Sequence, residues 1–212
     1  MDRHVVDSPR WGTTRIEALS DGVFAIALTL LVLEIKVPEL PRDAAASEVW
    51  HEIVGHWPIF FSFLITFMLG GAFWFWHHLS FHAIKHVDGP LCAINLVFLM
   101  FVSLLPFSTA LLGSFNLRQP VSLAFYFGNQ LALGLSLNAH WMYAARHGLL
   151  RDDPSHHRHR LGLAMQPIGC VLALVMIPLR PRSVFAAFAL TQIVGAGVMR
   201  RRFGKRVGRS AG

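Results

Sequence analysis

The chain has 212 residues, of which 54% are hydrophobic and 15% are charged, and its mean hydropathy is +0.48. This composition excludes an ordinary soluble domain and predicts an integral membrane protein. The net charge of +7 does not indicate nucleic-acid binding, because the basic residues lie at the ends of apolar runs rather than together on one face.

The apolar runs predict the fold class, an all-α membrane protein with six transmembrane helices per chain. They cover residues 22–33, 58–76, 91–117, 121–145, 161–179 and 184–199. We therefore divide the chain into a cytoplasmic tail over residues 1–14, a six-helix membrane domain over residues 15–200, and a basic cytoplasmic tail over residues 201–212. The first run reaches membrane length when the turn before it is included.

The distribution of Lys and Arg predicts the topology. If the connections between six helices lie alternately on the two sides of the membrane, 14 of the 19 Lys and Arg residues lie on the side of both termini and 5 lie on the other side. Because basic residues are enriched in cytoplasmic loops, both termini are predicted to be cytoplasmic in a multi-pass protein of the cell membrane. The last basic residues are expected to contact membrane lipids.

Helix one begins with an unusual polar group, formed by Arg15, Ser20 and Asp21. One interpretation is that Ser20 or Asp21 caps the helix. The other is that Asp21 lies inside the helix and pairs with Arg15 or with a polar group on a neighbouring helix, because ionisable groups at membrane depth are costly without a partner. His77 and His78, predicted at the same depth on helix two, are candidate members of this network.

Helix two also carries Gly70 and Gly71, which indicate either close packing of another helix or a bend. The spacing of His78, His82 and His86 would allow a metal site, but a solvated histidine-rich surface is the favoured interpretation, and no metal is predicted. In helix three, Pro106 predicts a kink. Helix four carries Asn129, Gln130, Asn138 and His140, for which hydrogen bonds between helices are favoured over a substrate pathway.

The motif Arg15-x-x-x-Leu19-Ser20-Asp21, followed by an apolar helix, resembles the Arg-x-x-x-Phe-Ser-Asp signature of the transmembrane protein 175 family of potassium channels. Leu19 stands where the family usually has Phe. The Leu-Leu-Pro-Phe sequence over residues 104–107 resembles helix three of that family. The resemblance implies a homotetrameric, potassium-selective or potassium-preferring channel, which is not an enzyme and has no cofactor, with potassium ions as the permeant species.

In such a tetramer helix one would face the axis and form the pore. Ile26, Leu30 and Leu33 then share one helical face, with Thr29 beside them, and predict a hydrophobic constriction at which an ion loses part of its water. The chain contains no Thr-Val-Gly-Tyr-Gly filter. A secondary transporter of a small cation or solute, or a structural membrane subunit, remains an alternative. A transporter would be expected to carry charged groups near the midplane.

Overall fold

The computed structural model of the chain describes residues 11–152 and 156–194. The predicted tail over residues 1–14 falls mostly outside this part, and the tail over residues 201–212 falls wholly outside it. Within the described part the protein is all-helical, with two isolated β-bridges in place of any strand. The described part is therefore all-α, in agreement with the predicted fold class.

Helix α1 covers Thr14–Leu30 and continues as a 3-10 turn over Leu31–Glu34, followed by α2 over Ala46–Gly55 and α3 over Trp57–His82. Next come α4 over Gly89–Ser103, α5 over Leu105–Ser114 and α6 over Pro120–Arg146. Helix α7 covers His156–Met176, and after a short 3-10 turn the described part ends in α8, over residues 184–194. Among the described residues, three segments are long and apolar enough to cross a membrane, namely Thr14–Glu34, Trp57–His82 and Gly89–Ser114.

Two differences from the predicted elements have simple causes. The run over residues 91–117 is interrupted at Leu104, where α4 ends and α5 begins, because Pro106 has no N–H to continue the ladder of backbone hydrogen bonds. The helix is thus interrupted two residues before the proline at which a kink was predicted. Helix α2 lies between the first two predicted spans and was not among the predicted helices. The apolar residues at positions 46, 49, 50, 53 and 54 do, however, recur with helical spacing.

The interior is organised around α6, which packs against α4, α5 and α7, while α1 packs against α3, α4 and α5. The core on the α1 side consists mainly of aromatic and branched side chains, including Phe24, Phe73, Phe98 and Val102. Burial of this apolar surface in the centre of the subunit fixes which face of α1 points inward. The opposite face of α1 is left exposed.

Gly70 determines how closely α1 approaches α3. A Cβ atom at Gly70 would lie 2.5 Å from Leu28 Cδ2, whereas one at Gly71 would have no atom within 4 Å. Helix α3 runs without interruption past both glycines. Of the two interpretations of the glycine pair, close packing is therefore correct, and Gly70 alone provides it.

A proline inside α7 explains one of the polar residues on α6. Pro167 has no N–H, so the carbonyl of Leu163 lacks its usual partner one turn later. Asn138 Nδ2 donates to that carbonyl at 2.8 Å, and to Gly134 O at 2.7 Å. The predicted hydrogen bond between helices is confirmed for Asn138, and its partner is the carbonyl that the proline leaves free.

Three chain segments meet at one end of the subunit. Trp11 exchanges backbone hydrogen bonds with Val87, and backbone bonds join Lys85 to Leu149 and Arg151 to Ala83. Asp88 caps α4 by accepting from Leu91 N and also accepts from the Tyr143 hydroxyl at 2.8 Å. The segments before α1, between α3 and α4, and after α6 therefore lie on the same side.

Candidate pore helix and polar network

One face of α1 carries apolar side chains that the subunit does not cover. Ile26 is 62% exposed, Leu30 is 41% exposed and Leu33 is 67% exposed. On the opposite face, Phe24 and Ala27 are buried in the core. The i, i+4, i+7 spacing thus produces a single outward stripe, and Leu33 remains on it although it lies in the 3-10 turn, where each residue adds a slightly larger rotation.

Thr29 is exposed beside this stripe. Its hydroxyl lies 2.8 Å from Ala25 O and 2.9 Å from Ile26 O, so its hydrogen is donated to the backbone of its own helix. The lone pairs of Thr29 Oγ1 consequently remain available to a group outside the helix. A hydroxyl in this state can accept a hydrogen bond or contact a cation.

Small residues form a second exposed stripe next to the first. Ala18, Gly22, Ala25 and Thr29 follow the i, i+4, i+7, i+11 spacing, and all four are exposed. Small side chains allow two helix backbones to approach closely within a membrane. The exposed side of α1 therefore combines branched apolar side chains with a neighbouring strip on which another helix can pack.

The buried side of α1 is held by a chain of hydrogen bonds. Ser20, His77 and Asn95 are all buried, at 0%, 2% and 1% exposure. Asn95 Nδ2 donates to Ser20 Oγ at 3.2 Å, and Asn95 Oδ1 lies 2.9 Å from His77 Nε2. Because an amide oxygen can only accept, His77 Nε2 carries the proton. Ser20 Oγ in turn donates to Ile16 O at 2.8 Å. Ser20 Oγ, both polar atoms of the Asn95 amide and His77 Nε2 therefore each have a hydrogen-bond partner.

Aromatic packing fixes the His77 ring. Its plane is stacked on Phe98, with ring centroids 5.3 Å apart and an interplanar angle of 4°. The Phe81 ring centroid lies 4.5 Å away on the same helix. The ring of His140, on α6, lies 6.1 Å from that of His77, and neither nitrogen of His140 has a hydrogen-bond partner in the structure.

Asp21 belongs to a second, separate contact on the exposed surface. Trp74 Nε1 donates to Asp21 Oδ1 at 2.8 Å, and the Trp74 ring stacks on that of His78 at 5.8 Å. Since α1 begins at Thr14, neither Ser20 nor Asp21 is at its N-cap. The capping interpretation is therefore wrong, and the partner of Asp21 is on the neighbouring helix α3.

The structure thus divides the predicted network into two groups and leaves Arg15 out of both. Ser20 joins His77 through Asn95, whereas Asp21 and His78 meet at Trp74. Arg15 is exposed, and the described residues contain no ion pair between it and Asp21. They also contain no group of three or more His, Cys, Asp or Glu side chains able to hold a metal.

Neither Asn95 nor Trp74 was predicted to belong to this site. Asn95 lies near the start of α4, at the depth predicted for Ser20 and His77. Trp74 lies in the second half of α3, and an indole with one polar atom is equally typical of the aromatic belt at a membrane interface. For both residues the missing information was which face of the helix they occupy.

The sequence matches the family model described as "Endosomal/lysosomal potassium channel TMEM175" over residues 15–106. A potassium channel of Streptomyces collinus is 36% identical over 177 residues, which is 78% of this chain and 84% of the relative. A potassium channel of Chamaesiphon minutus is 38% identical over 144 residues, 66% of this chain and 70% of that one. The mouse endosomal/lysosomal proton channel TMEM175 is 29% identical, and the match covers 84% of this chain but 39% of the mouse protein.

Solved structures of TMEM175 channels have a similar fold. The crystal structure of a lysosomal potassium-selective channel TMEM175 homolog from Chamaesiphon minutus superposes with a TM-score of 0.71 and 30% identity, covering 88% of this chain and 97% of the other. A variant of the potassium channel MtTMEM175, crystallised in complex with a nanobody fusion protein, has a TM-score of 0.57 and 20% identity, with 96% and 98% coverage. This second likeness shows the fold alone.

Proposed function

Because the chain belongs to the TMEM175 family of channels, we propose that it is a potassium channel whose pore is lined by α1. The observation that carries this proposal is the outward stripe of Ile26, Leu30 and Leu33 on a helix whose other face is fixed by the Ser20, Asn95 and His77 hydrogen bonds. The described chain offers one such helix. A pore surrounded by this stripe therefore requires several copies of the chain.

The assembly we propose is a homotetramer with α1 at the axis. Around a fourfold axis, each of the three apolar residues would form a ring of four side chains. The small residues Ala18, Gly22 and Ala25 would let neighbouring subunits pack closely beside the rings. The assembly also accounts for apolar surface on α1 that the subunit leaves uncovered.

An apolar ring selects ions through the cost of dehydration. Potassium loses water more readily than sodium, so a narrow ring of hydrocarbon slows sodium more, without the carbonyl filter that other potassium channels use. Ile26 is our candidate for the narrowest ring, since a β-branched side chain has few rotamers and can hold a small aperture. Thr29 Oγ1 offers an oxygen to an ion that has lost part of its hydration.

The two polar groups set the position of the pore helix. A stripe that lines a pore must not rotate, and a rotation of α1 would break the buried contact between Ser20 and Asn95 on one side and the Asp21–Trp74 bond on the other. The first lies inside the subunit and the second on its surface, so together they hold α1 against α3 and α4. We assign both groups a positioning role rather than contact with ions.

For the topology we propose six membrane crossings in the cell membrane, with both termini in the cytoplasm. In support, the segments around Trp11, Val87 and Leu149 lie at one end of the subunit. These segments adjoin regions that together hold most of the 14 basic residues, as expected for a cytoplasmic face. In this arrangement residues 15–200 form the channel domain.

Ion flux and selectivity test this proposal. Purified protein in liposomes should support potassium flux without a coupled substrate, whereas a secondary transporter would need one. In bi-ionic potassium and sodium, Ile26→Asn should add polar partners for a hydrated ion and raise the permeability of sodium relative to potassium. A change of about 1 kcal/mol in the barrier difference corresponds to about fivefold in that ratio.

The matched control is Ile168→Asn on α7, since Ile168 is also exposed, at 52%, but lies on another helix. This variant should leave the permeability ratio unchanged. Equal ratios in the wild type, Ile26→Asn and Ile168→Asn would overturn the assignment of Ile26. Absence of flux from correctly folded wild-type protein would overturn the channel itself.

A further inference from the structure

A cleft of about 460 Å³ lies where the chain leaves α6 and enters α7. Its lining includes Trp141 and Ala145 from α6, Leu150 and Arg151 from the segment after α6, and Arg160 from α7. A volume of this order is typical of sites that hold a small ligand or part of a larger one. None of these residues has a role in the proposed pore.

The local backbone fixes the position of Arg151 at this cleft. Just after α6 the chain turns at Gly148, which has a φ of 66° and so lies in the left-handed region that glycine adopts without strain. Arg151 N then donates to Ala83 O at 2.8 Å, in the connection between α3 and α4. The turn and this backbone bond bring Arg151 back beside α6, where it lines the cleft together with Arg160.

The charge of the cleft is positive. Arg151 and Arg160 are both exposed, and within the described residues neither forms an ion pair. Asp152 also lines the cleft, but its carboxylate lies 4.0 Å from Lys85 Nζ, so its charge is opposed by that lysine. A guanidinium group presents several N–H donors in a plane and matches the oxygens of a phosphate group. Two such groups on one cleft favour an anion with acceptor oxygens.

The rest of the surroundings is apolar. Trp141, which is only 3% exposed, and Ala145, one helical turn later, give the cleft an apolar wall. Further along α7, away from the cleft, Ile168 and Val171 are 52% and 49% exposed. An apolar surface on a membrane helix therefore continues from the positively charged cleft.

This combination of charge and apolar surface selects an amphipathic anion. Inorganic phosphate would leave the apolar wall uncovered, whereas basic pockets between membrane helices are suited to the headgroups of anionic lipids. We propose that the cleft binds the headgroup of an anionic phospholipid. Its phosphate accepts from Arg151 and Arg160, and its acyl chains lie along the exposed apolar surface of α7.

Native mass spectrometry of the full chain in mild detergent tests this proposal, because each bound lipid adds its own mass. The probes are dioleoylphosphatidylglycerol, which is anionic, and dioleoylphosphatidylcholine, which has the same acyl chains but no net charge. We expect one phosphatidylglycerol per chain to bind at concentrations at which phosphatidylcholine does not. The double variant Arg151→Gln/Arg160→Gln should weaken phosphatidylglycerol binding about twentyfold, since each basic residue near an anionic membrane surface contributes about fivefold.

Two further variants make the result specific to the cleft. Arg180→Gln/Arg182→Gln removes the same charge from exposed positions beyond the other end of α7, outside the cleft lining, and should bind phosphatidylglycerol like the wild type. Ala145→Trp places a large side chain at an exposed position of the lining without changing the charge, and it should abolish the saturable binding.

Several results would overturn the proposal. They are equal affinity for the two lipids, an unchanged affinity in the variant of Arg151 and Arg160, and an equal loss in the variant of Arg180 and Arg182. Binding as tight as that of the wild type in Ala145→Trp would exclude the cleft as the site. Displacement of the lipid by an equal concentration of inorganic phosphate would identify a site for free phosphate instead. The measurement involves no ion flux, so its outcome is independent of the proposed pore.

Discussion

Asn95 is the residue on which the buried network depends, because it hydrogen-bonds to both Ser20 and His77. Replacing it with Leu keeps the volume but leaves His77 Nε2 buried without an acceptor. We expect the variant to lose about 1–3 kcal/mol of stability, measured by equilibrium unfolding in mixed micelles. Ser20→Ala should cost less, since it removes an acceptor at the end of the chain of hydrogen bonds.

The double variant of Ser20 and Asn95 distinguishes a network from two independent contacts. In a network, Ser20→Ala should have little further effect once Asn95 is replaced, so the two effects should not add. Fully additive losses would contradict the network. The same would be true if Asn95→Leu unfolded at the wild-type denaturant concentration.

At the scale of single residues, the sequence predicted positions along the helices better than contacts across them. Ser20 and His77 were expected at one membrane depth, and they do lie one side chain apart, on either side of Asn95. The pairing of Asp21 with Trp74, and the absence of Arg15 from both groups, depend on how α1 is rotated relative to α3. Packing of Phe24 and Ala27 in the core decides that rotation, and a single sequence does not reveal it.

On the scale of helices, the close packing of α1 on α3 can be tested by substituting Gly70, with the neighbouring Gly71 as the control. Alanine favours helix over glycine by up to about 1 kcal/mol, so Gly71→Ala should be neutral or slightly stabilising. Gly70→Ala places a methyl group against Leu28 and should destabilise by about 1–3 kcal/mol. Because the obstructing atom is the end of a flexible side chain, Leu28→Ala in the same chain should relieve the clash. Equal behaviour of the two glycine variants in unfolding experiments would contradict close packing at Gly70.

The link between Asn138 and Pro167 predicts a specific coupling between α6 and α7. In the wild type, Asn138→Ala should cost about 0.5–1.5 kcal/mol, because the Leu163 carbonyl then has no donor. In a Pro167→Ala background the restored N–H can reach that carbonyl, so the same Asn138 substitution should cost less. The free energies of unfolding of the wild type, the two single variants and the double variant give the coupling energy. A coupling of zero would mean that Asn138 does not replace the N–H that Pro167 lacks.

The sequence indicated where the apolar segments lie more reliably than where helices begin or bend. Pro106 marked the division between α4 and α5 within two residues, because a missing N–H is a local property of the chain. The start of α1 at Thr14 lies one residue before the predicted start of the membrane domain, whereas the capping interpretation would have begun the helix near Ser20. Helix α2 was missed because apolar residues with helical spacing are interrupted there by Glu48 and Glu52.

On the scale of the whole molecule, a single chain does not show whether an exposed apolar side chain faces a pore or faces lipid. Ile26, Leu30 and Leu33 are about as exposed as apolar side chains on other helices, for example Leu64 at 59% and Ile193 at 68%. Burial in the subunit therefore does not distinguish a pore lining from a lipid-facing surface. In the tetramer that we propose, one of these environments would contain water and ions and the other would contain hydrocarbon.

Cysteine accessibility can make that distinction. In a chain without Cys92 and Cys170, single cysteines at positions 26, 30 and 33 should react with a charged, water-soluble thiol reagent and lose potassium flux in liposomes, because a thiolate forms only where water reaches the sulfur. Leu64→Cys and Ile193→Cys should keep their flux under the same treatment. Native mass spectrometry of the same proteins should give four copies of the 23.7 kDa chain. If block occurs equally at positions 64 and 193, or if monomers alone are found in mild detergent, α1 does not line a fourfold pore and the outward stripe is a lipid-facing surface.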